Sequence, residues 1–384
     1  MDLKVGIVSG EASGDLLGSE LMAALSQKVG DVQFVGVGGE RMRSQGLFAL
    51  ESIDRFSMNG FVEPLTRFPE LLKLLKSLAT QLASVDVMVG VDFNVFNLLL
   101  ERRLKSRGIP TVHYVSPSVY AWRRNRVRKI EKSADLLFTL FPFEPAYYEN
   151  SGTKALFVGH PLADRISPSR NRNLERKLAR DQLSIGHSAT AVAVLPGSRK
   201  SEIRSHLDLF LRAAERVQAM LKEERQFVFV VPCVNDNTAN LVKDRSSVYS
   251  HLDVRVVTSN SLEVFRACDA ALVKSGTSTL EAMLMRVPMV VAYQTGPLTY
   301  AIVRSVLQTR WVALPNILTD RELVPEFLQH AATPESLSFA LCQELRSSEE
   351  SSGYFDEFDR LHIELRCSAS AKAAEAILEL VGCR

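Results

Sequence analysis

Short runs, mostly apolar throughout rather than alternating, are interspersed along this chain with longer segments whose apolar residues recur every three to four places. Leu3–Val8, Val32–Val37, Val85–Val91, Thr111–Val115, Leu136–Leu140 and Ala155–Val158 are of the first kind. A strand that is apolar throughout is buried on both faces, as in a parallel sheet covered by helices. Leu16–Ser26, Phe68–Leu82 and Phe96–Ser106 predict the helices between them. The repeated strand–helix order means a doubly wound α/β sheet. At Asp164–Arg180 the pattern breaks, and the polar, charged stretch Ile166–Asn173 reads as a linker. A second series follows, with strands expected at Ala189–Leu195, Phe227–Val231, Val254–Val257, Ala270–Val273, Met289–Tyr293 and Trp311–Ala313. The stretch from about Thr333 to Leu380 reads as helical. The expectation is two Rossmann-like lobes, 1–165 and 166–345, and a helical segment, 346–384, that packs back towards the first lobe. Open α/β sheets bind ligands beyond the carboxyl ends of their strands, so a cleft between facing lobes is the expected binding place.

Length and composition fit this picture. A chain of 384 residues exceeds what one core usually organises, and 46% hydrophobic with 23% charged residues is ordinary for a soluble globular protein. A formal net charge of +2 argues against bulk nucleic-acid binding, leaving room for a local basic patch. The five cysteines are scattered without a Cys-x-x-Cys or Cys/His cluster, so neither zinc nor a disulfide framework is implied, and a reducing compartment fits. Leu3–Val8 runs straight into Ser9-Gly10-Glu11, too short for a signal core, and no apolar run approaches a membrane span.

Candidate chemistry lies at the strand-to-helix turns. Gly10-Glu11-Ala12-Ser13-Gly14-Asp15 follows the first strand; its small residues let the backbone approach a ligand. Glu11 and Asp15 would repel a pyrophosphate, so Glu11, Ser13, Gly14 and Asp15 are assigned to the sugar or acceptor side, with helix capping by Ser13 or Asp15 as the bland alternative. Asp92 ends the run Val85–Val91, where partial desolvation suits a general base; the alternative is a cap for the helix that follows. In the second series, Leu195-Pro196-Gly197-Ser198-Arg199 and Lys274-Ser275-Gly276-Thr277 offer backbone donors, hydroxyls and a guanidinium suited to a diphosphate. Glu281, one turn after Thr277, could accept from vicinal ribose hydroxyls. Two such turns in one lobe point to a nucleotide diphosphate, and no Asp-x-Asp motif is present to hold a metal.

Two further stretches have open readings. His113–Ile130 places Tyr114, Tyr120 and Trp122 before the cations Arg123, Arg124, Arg126, Arg128 and Lys129. A solvated basic face, a phosphorylated substrate or an anionic membrane would each account for it. Phe61, Val62, Leu65, Phe68 and Leu72, flanked by Arg67, Lys73 and Lys76, fit an interfacial surface as well as they fit a core stripe.

Together these segments resemble the lipid-A-disaccharide synthases, inverting glycosyltransferases of the GT-B fold. The likeness runs nearly end to end, through Gly10–Asp15, Gly90-Val91-Asp92, His113–Val119, Ala121-Trp122-Arg123, Leu195–Arg199, Ser275–Thr277, Glu281 and Leu314-Pro315-Asn316. The resemblance implies transfer of a sugar from UDP-2,3-diacylglucosamine to 2,3-diacylglucosamine 1-phosphate, giving the β-1,6 disaccharide and UDP. It implies no cofactor or metal, a cytoplasmic protein peripheral to the inner face of the cytoplasmic membrane, no nucleic-acid partner, and a homodimer as a candidate assembly. Asp92 matches the base proposed for the family. Glu11, Arg199 and Asn316 match residues important for activity, and Ser116, Trp122 and Arg123 fall on the acceptor side. One departure stands out: where the family often has a small residue, Pro and a second Asp, Phe93, Asn94 and Val95 follow Asp92. Alternatives of the same fold are a peptidoglycan N-acetylglucosaminyltransferase and a UDP-N-acetylglucosamine 2-epimerase; outside enzymes, a nucleotide-sugar binding protein.

Overall fold

A computed structural model describes residues 3–53, 68–117, 127–296, 309–347 and 352–382. The chain forms two compact units, 1–165 with 364–384, and 166–363. The first contains strands β1 (Leu3–Ser9), β2 (Val32–Gly38), β3 (Leu47–Ser52), β4 (Val87–Val91), β5 (Thr111–Tyr114), β6 (Leu136–Thr139) and β7 (Lys154–Phe157). Helices α1 (Ala12–Val29), α2 (Glu40–Ser44), α3 (Phe68–Gln81), α4 (Asn94–Lys105), α5 (Val127–Glu131) and α6 (Pro161–Arg165) alternate with them. The second contains β8 (Thr190–Leu195), β9 (Phe227–Cys233), β10 (Val254–Thr258), β11 (Ala270–Lys274), β12 (Met289–Tyr293) and β13 (Glu326–Leu328). Its helices are α7 (Arg172–Gln182), α8 (Lys200–Leu221), α9 (Asp236–Ser246), α10 (Ser261–Ala267), α11 (Thr277–Leu284), α12 (Leu314–Thr319), α13 (Pro334–Ser347) and α14 (Ser352–Leu365). The last helix, α15 (Ala369–Leu380), packs along α1.

Both sheets are parallel, ordered β3-β2-β1-β4-β5-β6-β7 and β10-β9-β8-β11-β12-β13. Each reverses direction of winding once, between β1 and β4 in the first unit and between β8 and β11 in the second. The loops leaving those strands diverge to opposite faces and open a crevice at the carboxyl ends.

The apolar runs behave as their pattern requires. Val5, Ile7, Val8, Val87, Val89 and Val91 are all buried, because helices cover both faces of the sheet. On α3, Leu74, Leu75, Leu78, Ala79 and Leu82 share a core with Leu100 and Leu104 of α4. In the second unit Leu207, Phe210 and Val217 of α8 pack on Phe229 and Val231 of β9.

Four expectations are altered. Leu47–Ser52 adds an edge strand that was not foreseen; it pairs parallel to β2 with a register shift at Gly36–Val37. Trp311–Ala313 is not a strand: the N–H groups of Val312 (3.2 Å) and Ala313 (3.0 Å) donate to the Glu326 side chain instead of to a ladder. The sixth strand of that sheet is β13. The proposed linker ends in a helix, since Asn171 caps α7 through the Leu174 N–H (3.1 Å) and Arg172 and Asn173 are its first residues. Arg180, 1% exposed, donates from that helix to Asp269 (2.7 Å) and to the Ala267, Gly186, His187 and Ala189 carbonyls. The segment 346–384 is divided, its residues to Ile363 lying with the second unit and the rest with the first.

Candidate active site

The first switch point is acidic. Ser9 of β1 lies beside Val91 of β4, so the two outgoing loops start as neighbours. They also touch: a Cβ on Gly10 would lie 2.5 Å from the Phe93 ring, so only glycine fits beneath it. Glu11 and Ser13 are exposed at the start of α1. Asp92 and Phe93 both have left-handed backbones, φ 51° and 47°, a conformation that costs non-glycine residues about 1–3 kcal/mol each. The turn is fixed by its hydrogen bonds. Asp92 N–H donates to the Tyr114 carbonyl (2.8 Å), and buried Asn97 donates through Nδ2 to the carbonyls of Asp92 (2.8 Å) and Val8 (3.1 Å).

A polar chain runs from the Asp92 carboxylate into the core. Asn94 Nδ2 donates to Asp92 Oδ1 (3.4 Å), and Asn94 Oδ1 faces His113 Nε2 (3.0 Å). His113 Nδ1 lies 2.7 Å from Glu101 Oε1, both side chains being fully buried. A carboxylate only accepts, so the Asn94 amide nitrogen faces Asp92, its oxygen faces the ring, and Nε2–H is the donor. Burial raises the Glu101 pKa, and its charge and hydrogen-bond interactions with His113 oppose the rise. Its Oε2 has no partner among the described residues. Gly90 makes room for this carboxyl, since a Cβ there would sit 2.0 Å from Glu101 Oε1.

The other acceptor-side residues divide. Asp15 is spent on structure: Oδ1 accepts from Gly39 N–H (2.7 Å) and Met42 N–H (3.1 Å) and Oδ2 from Arg41 N–H (3.1 Å), capping α2. Gly14 is buried against Ser9. Ser116 is buried and bonds Tyr148 Oη (2.8 Å). It lies beside Glu144, whose carboxyl burial pushes up to about 7 against the Phe141 and Leu140 N–H bonds and Ser116 itself. Trp122, Arg123, Phe61, Val62 and Leu65 fall outside the described residues, as does the Phe68 side chain. Of the proposed membrane stripe, Leu72 is exposed (39%) between Lys73 and its neighbours, whereas Leu75 is core (2%). Leu71, Leu74, Leu75, Leu78 and Leu82 follow the helical period onto one face, and Leu72 falls off it.

The second switch point is cationic. Arg199, Ser275, Gly276, Thr277 and Glu281 line one cavity of about 420 Å³ with Gly197, Ser198, Glu202, Pro232, Cys233, Val234, Asn260, Ser261 and Lys274. The N-termini of α8 and α11 open onto it, so their free N–H groups and partial positive charges add to those of the side chains. Arg199 is 82% exposed and makes a long ion pair with Glu202 Oε1 (3.9 Å), a contact that a ligand phosphate would compete for. Lys274 and Glu202, to which no role was given from sequence, organise the floor. Lys274 Nζ donates to Glu202 Oε1 (3.1 Å), and Glu202 Oε2 accepts the N–H groups of Ser198 (3.1 Å) and Arg199 (3.3 Å). Burial alone would raise the Glu202 pKa; Lys274 and the Arg199 interactions outweigh it and hold the group below its ordinary value. Lys274 also lies over the Tyr293 ring, 5.5 Å from its centroid. Ser275 Oγ donates to the Val312 carbonyl (2.9 Å), and Ser261 Oγ to Glu281 Oε2 (2.5 Å).

Asn316, expected on the donor side, is fully buried and does not line this cavity. Its Oδ1 accepts from Leu323 and Val324 N–H (2.8 Å each), and Nδ2 donates to the Val324 carbonyl (2.9 Å) and Glu326 (3.0 Å). It is a scaffold residue that, with Glu326, fixes the chain entering α12. No group of three or more His, Cys, Asp or Glu among the described residues could hold a metal, and no described helix is long and apolar enough to cross a membrane.

Two doubly wound sheets, each with ligand-suited loops at its switch point, define a GT-B-type architecture of the nucleotide-sugar enzymes. Solved structures share it at low identity. A UDP-GlcNAc 2-epimerase from Neisseria meningitidis, bound to UDP-GlcNAc, superposes with TM-score 0.65 at 13% identity, over 99% of this chain and 100% of its own. MurG from Acinetobacter baumannii does so with TM-score 0.56 at 12% identity, over 98% and 99%. These likenesses concern fold alone. The chain belongs to the lipid-A-disaccharide synthase family: the family model described as lipid-A-disaccharide synthetase matches residues 5–377. Lipid-A-disaccharide synthases of Azotobacter vinelandii and Saccharophagus degradans are 45% and 43% identical, over 98% and 99% of this chain and 98% and 97% of their own lengths.

Proposed function

We propose that this glycosyltransferase forms the lipid A disaccharide by moving 2,3-diacylglucosamine from its UDP donor to the 6-hydroxyl of 2,3-diacylglucosamine 1-phosphate. The hydroxyl oxygen attacks the donor's anomeric carbon, the bond to UDP breaks, and inversion leaves a β-1,6 linkage. Asp92 takes the hydroxyl proton. It stands at a strand tip in a strained turn, with Asn94, His113 and Glu101 holding one carboxylate oxygen. UDP leaves with the bonding electrons, its new charge met by Arg199, Lys274 and the N-termini of α8 and α11 without a divalent cation. The observation that carries this reading is the convergence of two helix N-termini and two cations on one cavity at the second switch point, in a member of this family. Both substrates carry acyl chains, so the enzyme works at the inner face of the cytoplasmic membrane, with Leu72, Lys73 and Lys76 and the stretch 61–68 as candidate contacts. The test is UDP release from purified protein: it requires both acylated glucosamine substrates and survives exhaustive chelation. UDP release from UDP-N-acetylglucosamine alone, or activity lost on chelation and restored by magnesium, would overturn it.

A further inference from the structure

Beside the Asp92 turn, the first unit has a second cavity of about 630 Å³, between α4 and the region of α5, for which the chemistry above gives no use. Its wall is of two kinds. Val95 (82% exposed) and Leu99 (43%) leave apolar side chains in water on the outer face of α4, with Leu98 beside them. Arg102 continues that strip one turn further along α4, and Arg128, Lys129 and Lys132 line the same cavity; all four cations are exposed. None has a carboxylate partner among the described residues, although Lys105, just beyond the cavity, is paired with Asp135 (3.0 Å). Four cations beside an exposed apolar strip form an amphiphile's complement: a hydrocarbon chain covers the strip while a phosphate gathers the cations. Asn94 is also in the lining, and it is the residue that bonds Asp92. A ligand in this cavity therefore has one end at the proposed base. Arg102 lies two helical turns from Asn94, about 12 Å along α4, a separation that a hexose phosphate and an arginine side chain span together.

We infer that this cavity is the acceptor subsite: Val95, Leu98 and Leu99 carry an acyl chain, and Arg102, Arg128, Lys129 and Lys132 hold the 1-phosphate of the acylated sugar. The inference rests on the function proposed above and adds where the acceptor lies. It orients the ring, because the 1-phosphate and the attacking 6-hydroxyl leave opposite sides of the sugar. Phosphate at the cations leaves the hydroxyl towards Asn94 and Asp92.

The experiment compares the full-length wild type with Arg128→Ala/Lys132→Ala and, separately, Val95→Ser/Leu99→Ser, in zwitterionic detergent micelles. Loss of charge-assisted phosphate bonds should raise the acceptor KM roughly 10- to 100-fold, with the donor KM and UDP affinity unchanged. Arg128→Lys/Lys132→Arg, which keeps the charge, should restore most of the loss. An acceptor lacking the 1-phosphate should bind wild type and alanine variant alike. The apolar variant should weaken long-chain acceptors and spare short-chain ones, with an unchanged melting temperature, as both residues are exposed. An unchanged acceptor KM overturns the inference. So does a defect seen on vesicles of anionic lipid but absent in micelles, which would assign the cations to membrane headgroups. Failure of the wild type to turn over the two acylated substrates would instead strike the proposed reaction, and so is distinguishable.

Discussion

The two switch points share a topology and differ in almost everything else. Between β1 and β4 the outgoing loops present carboxylates, Glu11 and Asp92, with a buried polar chain behind one of them. Between β8 and β11 the carboxylates Glu202 and Glu281 are tied down by Lys274 and Ser261, and Arg199 is left exposed. The second loop pair also leads into helices whose N-termini open on the cavity, whereas α1 begins behind a glutamate. A doubly wound sheet thus provides a place to bind twice; the residues in the turns decide whether that place takes a proton or an anion. The difference suits a reaction in which one substrate gives up a proton and the other leaves as a diphosphate.

The largest effect expected is at the acidic end. A positioned carboxylate taking a proton contributes about 10²–10⁴-fold in rate, so Asp92→Asn should lower kcat by that factor and leave UDP affinity at the second switch point intact. Rates from single-turnover UDP release, with UDP binding by calorimetry, measure both. Near-wild-type turnover would move the base to Glu11 and erase the contrast drawn between the turns.

Much of this contrast is legible in the sequence, and what is not has physical causes. Apolar runs at β1, β4, β8 and β11 locate the sheets because strands buried on both faces have no other pattern. That Arg199, Ser275, Gly276, Thr277 and Glu281 share one cavity is readable because both of their turns follow buried strands and combine Gly and Ser at a strand end. The bonding of Asp15 and Asn316 is not readable. Asp15 caps α2, a helix 25 residues downstream, and Asn316 reaches Leu323 and Glu326, so only the folded chain shows their polar atoms already engaged. Glu101 and His113 were hidden for other reasons: Glu101 opens the charged run Glu101-Arg102-Arg103 and so resembles a solvated helix residue, His113 is a polar residue inside an apolar strand, and nothing local says they meet. The edge strand Leu47–Ser52 has an apolar run of only four residues, Leu47–Leu50, which ends on Glu51 and Ser52 and alone does not tell a strand from a piece of helix.

Next in size is a pH effect in the first unit. Burial lifts the Glu144 carboxyl beside Ser116 to about 7 from an unfolded value of 4.5. The folded state binds this proton more tightly than the unfolded state. The stability it brings is therefore full below pH 4.5, declines as pH rises, and is gone above about pH 7. At about 1.4 kcal/mol per pKa unit, the change is up to about 3 kcal/mol. Glu144→Gln keeps an oxygen for the Leu140 and Phe141 N–H groups and cannot ionise, so the variant should gain on the wild type between pH 5 and 8. Thermal unfolding at several pH values reads this, and parallel curves for the two proteins would refute it.

At the cationic end the expected changes are in binding. Arg199→Ala removes a charge-assisted contact worth roughly 10- to 100-fold in affinity, so UDP affinity should fall and the donor KM rise, with the acceptor KM unaffected. Lys274→Met should do the same and also release Glu202 from its ion pair, returning the Glu202 pKa upward. Calorimetric titration with UDP checks both variants. An acceptor KM that moves instead would place the diphosphate elsewhere.

The smallest effect tests the chain behind Asp92. Asn94 donates to Asp92 and accepts from His113, so in the proton-transfer step it transmits the fixed orientation of the buried ring to the carboxylate and takes no proton itself. Asn94→Ala should leave the Asp92 carboxyl in place but less well aimed, a loss of about tenfold in kcat, because misorientation weakens proton transfer without abolishing it. Glu101→Gln should cost less, since a neutral amide can still hold His113 with Nε2–H directed at Asn94. The order Asp92→Asn, then Asn94→Ala, then Glu101→Gln in falling severity follows distance from the reacting proton. The double variant Asp92→Asn/Asn94→Ala should be no slower than Asp92→Asn alone, because Asn94 acts through the carboxylate that has already been removed. Additive losses in kcat would show that Asn94 assists the proton transfer independently of Asp92, and the acidic turn would then work through two groups rather than one.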